Sequence, residues 1–321
     1  MIFSKFIDLC ALYDLHRKRS KEWHFSKEQL VDKNMKLDEF YKYTPQSISF
    51  EFRSEEKDSK VGTFEYMSSV TSGYSNNDKV TGEVFLHKDD APNVILVHGW
   101  RMESNDRIKN IYHDKFMELG WNTYYFTLPY HFEREPNESL FSGEYMVSAH
   151  LERTVQASKQ AVVDLRQLIN WVKNNKKGPI IVIGISLGGF VTNLTALVEE
   201  NIDVLIGVFY ANRLSYSIWN TNPGKYIKKD LIEHNVTYNE LIKAWEITEP
   251  SQSIPKVKKE NILLISGKHD QYVVGEDTDY LWNVWGKPTR YLFNCGHSGI
   301  VLNRKKIAHD TIQFIRKRIE G

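Results

Sequence analysis

The chain has 321 residues, enough for one large α/β domain or two small ones. Apolar residues make up 41% and charged residues 26%, which suits a globular protein with a substantial core. The formal net charge of +1 supplies no global field for nucleic acid or an anionic membrane surface; two cysteines, Cys10 and Cys295, are too few for a disulfide framework and suit a reducing, cytoplasmic setting.

The N-terminal stretch MIFSKFIDLCALYDL is apolar but interrupted by Lys5 and Asp8, and its basic cluster HRKRS follows the apolar residues. A signal peptide has the opposite order. Ile2, Phe6, Leu9 and Tyr13 recur at helical spacing, which predicts an amphipathic helix packed on that stripe, within a helical extension of about residues 1–45. No stretch is long and apolar enough to span a bilayer.

From about Ser47 to His87 the segments SISFEF, GTFEYMSSV and TGEVFLH read as β-strands, being short and rich in β-branched and aromatic residues. The rhythm then changes to alternating strands and helices. NVILVHGW is followed by a helical face of Ile108, Tyr112, Phe116 and Leu119, with Gly120 as C-terminal cap. WNTYYFTLPYH leads through a polar loop to a long helix from about Ala149 to Asn174, with Leu151, Val155, Val162, Leu165, Ile169 and Val172 as its buried stripe. IIVIGIS, VLIGVFYAN, NILLISGKHD and TRYLFNCGHSG are the remaining strands, and Ala308, Ile312, Ile315 and Ile319 mark the last helix. Strands apolar on both faces and alternating with helices predict a mostly parallel central sheet covered on both sides, with antiparallel N-terminal strands. No repeat or linker divides residues 1–321, so one domain is expected, with a lid insertion at about residues 213–258.

The chemistry concentrates at strand ends. Gly184-Ile185-Ser186-Leu187-Gly188 matches G-x-S-x-G between an apolar strand and an amphipathic helix, the context a nucleophile elbow requires. An ordinary turn with a capping serine is the plainer reading of that segment alone. His297, just past the last strand, can serve as base. Asp270, just past NILLIS, can serve as acid, with Asp277 and Asp279 as rivals; the neighbouring strand end at Asn212 carries no carboxylate. The backbone N–H groups of Leu187 and Trp100 are candidate donors to an oxyanion. His98, in the same VHGW turn as Trp100, competes as base but is expected to shape the loop. Arg134, in LPYHFEREP, is a candidate for a substrate anion, against a solvated arginine paired with Glu133 or Glu135. Trp219, with Tyr216, Tyr226, Tyr238 and Trp245, could line an acyl pocket or give the lid its own core.

VHGW, GISLGG, SGKHDQYV and GHSG, in this order and at these strand ends, resemble the α/β-hydrolase superfamily, with affinity to poorly characterised bacterial hydrolases and esterases. The likeness runs from about Val94 to Gly321, and the first eighty residues have no counterpart in it. The H-G-G-G loop of one lipase and esterase branch is missing. The resemblance implies an α/β-hydrolase fold, a Ser186-Asp270-His297 triad, and neither metal nor cofactor. The expected function is hydrolysis of a small-molecule carboxylic ester or thioester through an acyl-serine. Amide cleavage by the same residues, or a non-catalytic binding protein of this fold, are the alternatives. GISLGG has the wrong spacing for a dinucleotide enzyme. The basic run Arg316–Arg318 reads as a solvated helix end.

Overall fold

The apolar runs assemble into one nine-stranded sheet in the computed structural model, which describes residues 8–13, 16, 24–27, 35–56 and 59–320. The strands are β1 (Ser49–Glu56), β2 (Ser59–Met67), β3 (Lys79–Leu86), β4 (Asn93–Val97), β5 (Asn122–Phe126), β6 (Ile180–Ile185), β7 (Val204–Val208), β8 (Ile262–Gly267) and β9 (Thr289–Phe293). Their spatial order is β1-β2-β3-β5-β4-β6-β7-β8-β9. The first three strands pair antiparallel and join β5 antiparallel; every later pairing is parallel.

The helices of the parallel half are α1 (Asp106–Glu118), α2 (Leu151–Asn175), α3 (Leu187–Val198), α4 (Leu214–Asn220), α5 (Lys225–Glu233), α6 (Tyr238–Trp245), α7 (Gly275–Val284) and α8 (Arg304–Ile319). Strand periodicity decides which helix meets which face. Along β6, Ile180 and Val182 join one apolar cluster with α2 and α3, while Ile181, Ile183 and Ile185 join the other with α1 and α8. All six β6 residues are buried, and each isoleucine so buried contributes roughly 1.5–3 kcal/mol. This double burial is why β6 reads as an unbroken apolar run.

Two details differ from the sequence pattern. Leu119 is partly exposed beyond the end of α1, where Gly120 closes the helix at φ +67°. At the N-terminus, Leu9 and Tyr13 face solvent while Asp8 and Leu12 are buried, so the inward face is one residue out of phase with the apolar stripe. Ile2 and Phe6 lie outside the described residues. Asp8 turns inward because backbone amides of Gln271, His297 and Ser298 face it there. Between β7 and β8 the chain forms α4, α5 and α6 with four short 3-10 turns, and α4 comes up to Ser186 at the carboxyl edge of the sheet.

Candidate active site

Parallel pairing aligns the carboxyl ends of β4, β6, β7, β8 and β9, so the segments that follow them share one rim. Ser186 follows β6 with φ +56° and ψ −114°, a conformation costly for a residue with a side chain, of order 1–3 kcal/mol. Its backbone is held there from three sides. The Ser186 N–H donates to Val208 O at 3.0 Å, and its carbonyl accepts from Phe190 N–H and Ala211 N–H, each at 3.1 Å. The tight turn also needs bare backbone on both flanks: a Cβ on Gly184 would stand 2.3 Å from Gly188 O, and one on Gly188 would stand 2.2 Å from Val97 O. Leu187 then opens α3. Its N–H belongs to the first turn, whose donors have no intrahelical acceptor and lie at the positive end of the helix dipole.

His297 follows β9 and Asp270 follows β8. Ser186 Oγ lies 3.1 Å from His297 Nε2, and His297 Nδ1 lies 2.8 Å from Asp270 Oδ2. A carboxylate only accepts, so Nδ1 carries the proton and Nε2 is left to accept from Ser186. The other Asp270 oxygen accepts from Tyr272 N–H and Val273 N–H, each at 2.8 Å, which aims Oδ2 at the imidazole. The Tyr272 ring stacks on the imidazole at 4.6 Å and 7°, and Phe209 meets it edge-on.

Two cavities flank Ser186. The larger, about 450 Å³, has walls from Gly99, Trp100, Arg101, Glu103, Arg107 and His297 among others. The smaller, about 70 Å³, is lined mainly by apolar groups of Trp100, Val147, Leu187, Leu214, Ile218 and Val273. The Gly99–Trp100 turn faces the serine closely, for a Cβ on Gly99 would stand 3.4 Å from Ser186 Cβ. Trp100 anchors this turn through its indole N–H, which donates to Gly143 O at 2.7 Å. Among the described residues, no three His, Cys, Asp or Glu side chains converge as metal ligands would.

A family model described as "Alpha/beta hydrolase domain containing 18" matches residues 93–249. The acetyl xylan esterase from Paenibacillus sp. R4 superposes with a TM-score of 0.70 at 14% identity, covering 97% of this chain and 99% of that one. The chain belongs to the α/β-hydrolase superfamily. Acetyl xylan esterase 1 from Thermoanaerobacterium sp. JW/SL YS485 has the same α/β-hydrolase architecture, with a TM-score of 0.70 at 13% identity over 95% of this chain and 98% of that one. Among curated proteins, the uncharacterised YdjC of Bacillus subtilis (strain 168) is 66% identical over 115 residues, 36% of this chain and 99% of that protein. The uncharacterised Rv2627c of Mycobacterium tuberculosis (strain ATCC 25618 / H37Rv) is 27% identical over 245 residues, 72% of this chain. The chain spans only 55% of the length of that mycobacterial relative.

In this α/β-hydrolase the other sequence candidates fall elsewhere. Arg134 is not at the rim. It is fully buried, and its guanidinium donates to Asn77 O at 2.9 Å, Thr127 O at 3.0 Å and Asp164 Oδ2 at 2.8 Å. With its charge paired and its donors directed inward, it ties the loop after β5 to α2, and neither Glu133 nor Glu135 is its partner. Trp219 is not among the residues lining either cavity; it stacks on Tyr238 at 5.5 Å, beneath the Lys228 ammonium. Tyr216, Tyr226, Tyr238 and Trp245 also lie outside both linings, and Trp245 is buried against α2 with its indole N–H on Leu151 O at 3.2 Å. The rivals for the acid are engaged elsewhere: Asp277 with Arg213 and Asn212, Asp279 with Arg290.

His98 is buried with both ring nitrogens occupied, Nδ1 donating to Gly99 O at 2.8 Å and Nε2 accepting from Leu128 N–H at 3.1 Å. Burial, aided by the nearby Arg134 charge, pushes it down to about 4, although the Gly99 carbonyl opposes this. His131 is a buried neighbour that the sequence pattern did not single out. It accepts from Arg101 N–H at 3.2 Å, and burial holds it well below the ordinary histidine range. Both histidines shape the Gly99–Trp100 turn as neutral rings. Asp8 was the other omission: it interrupts the apolar N-terminal stretch in sequence, and its carboxylate meets the loop of His297.

Proposed function

We propose that the protein hydrolyses carboxylic esters or thioesters of short acyl chain through an acyl-serine intermediate. The observation that carries this reading is the unbroken row Ser186–His297–Asp270 on a strained, glycine-flanked turn. Ser186 Oγ attacks the acyl carbon as His297 Nε2 takes its proton. Asp270 holds the tautomer and stabilises the imidazolium. The Leu187 and Trp100 backbone N–H groups donate to the developing oxyanion, each such donor being worth about 3–4 kcal/mol in the transition state. The imidazolium then protonates the departing alcohol or thiol. Water, deprotonated by the same imidazole, attacks the acyl-enzyme and releases the acid.

The two cavities divide the substrate. The small apolar one abuts the oxyanion donors and suits the acyl chain, while the larger, more polar one suits the leaving group. At about 70 Å³ the acyl side is small, which favours a short acyl chain. Two of the structural neighbours are acetyl xylan esterases, which agrees with a short acyl group. The insertion after β7 roofs this pocket through Leu214 and Ile218 and acts as a lid. A panel of activated esters tests the reading. Acetyl and propionyl esters should give the highest kcat/KM, at least tenfold above octanoyl. A preference for octanoyl, or no ester turnover by folded protein, would contradict it.

A further inference from the structure

We infer that Asp8 is a positioning residue for the reaction, clamping the loop of the base to the loop of the acid; this inference rests on the function just proposed. Asp8 is fully buried, yet among the described residues no cation is a hydrogen-bond partner of its carboxylate. Instead it gathers three backbone donors. Oδ2 accepts from His297 N–H at 3.0 Å and Gln271 N–H at 3.4 Å, and Oδ1 accepts from Ser298 N–H at 2.9 Å. Gln271 immediately follows Asp270, so one oxygen bridges the two segments whose side chains must stay 2.8 Å apart. The fit is close. A Cβ on Gly296 would stand 2.3 Å from Asp8 Oδ2, so the glycine before His297 is required by this carboxylate, its own φ of −88° being open to any residue. Ala11, one turn further along the same helical segment, lines the larger cavity beside Ser186. The N-terminal segment thus reaches the site twice, once as wall and once as clamp.

Asp8→Asn isolates the role, because both carboxylate oxygens are acceptors. A carboxamide must turn its NH2 against a backbone N–H on one side or the other. The inference predicts a folded Asp8→Asn protein whose kcat falls about tenfold to a hundredfold with KM within about twofold of wild type. The rate of fluorophosphonate labelling should fall in parallel. Gly296→Ala, which displaces the carboxylate sterically, should lower kcat likewise, and should cost less than about twofold further in an Asp8→Ala background. A folded Asp8→Asn with wild-type kcat overturns the inference; if that variant does not fold, wild-type kcat in Gly296→Ala overturns it instead. Ser186→Ala, measured beside them, separates the two failures. If it retains turnover, the proposed function itself fails. If it is inactive while Asp8→Asn turns over normally, only the role of Asp8 fails.

Discussion

Asp270 meets the His297 imidazole at 2.8 Å through one oxygen only, because the other is held by the Tyr272 and Val273 amides. This asymmetry predicts the outcome of Asp270→Asn. The two amides require an oxygen, so the carboxamide NH2 is forced toward Nδ1. It then donates where the carboxylate accepted, and the ring proton moves to Nε2, where Ser186 needs an acceptor. By analogy with the same change in other triads, kcat should drop by up to about 10⁴ with the fold intact by circular dichroism. Asp277→Asn and Asp279→Asn should retain kcat within about tenfold, Asp277→Asn losing stability through its Arg213 partner.

Arg134→Met should destabilise the protein by about 3–5 kcal/mol, because it leaves the Asp164 carboxylate buried without its cation. KM for every ester should stay within about twofold, since Arg134 faces the interior. Urea denaturation and steady-state kinetics on one preparation check both halves. A raised KM with unchanged stability would return Arg134 to the substrate.

Burial lifts Glu249, in the insertion after β7, to about 7, against the opposing pull of Ser215 and Arg213. Its folded value lies above the unfolded value, so between pH 4.5 and 7 the native state binds more protons. Stability from this group is therefore present at pH 4.5 and lost as pH rises, by up to ~3 kcal/mol. Glu249→Gln should be the more stable protein at pH 8 and lose that advantage at pH 5. Urea midpoints at the two pH values measure it; a pH-independent difference would contradict the assignment.

Ile218→Ala should enlarge the small cavity and move the preferred acyl chain toward longer esters, with kcat/KM for hexanoyl esters rising relative to acetyl. An unchanged acyl-length profile would place the acyl chain in the larger cavity.

The sheet was legible because β4 to β8 bury every residue and are therefore mostly apolar, with Asn93, Asn122, Thr123 and Ser266 as the polar exceptions. The strand-end positions of Ser186, Asp270 and His297 were legible for the same reason: once the strands were read, chemistry-bearing residues just beyond them were conspicuous, and Asn212 excluded the alternative. What could not be read is what depends on distant partners. Arg134 looks like a surface residue of a polar loop until Asp164, thirty positions on, lies against it. Leu9 and Tyr13 carry the helical period but point outward, while Asp8 turns inward to accept from the backbone amides of His297 and Ser298. The small cavity draws Val147, Leu214 and Val273 from three separate segments, and no local pattern marks them as neighbours.

If Ser186 is a nucleophile activated by His297, covalent labelling will find it. Folded protein is treated with a fluorophosphonate, digested, and the modified peptide is sequenced by mass spectrometry. A single adduct on Ser186 is expected, absent from Ser186→Ala and strongly slowed in His297→Ala. An adduct on another residue, or none in protein that still hydrolyses esters, would contradict it.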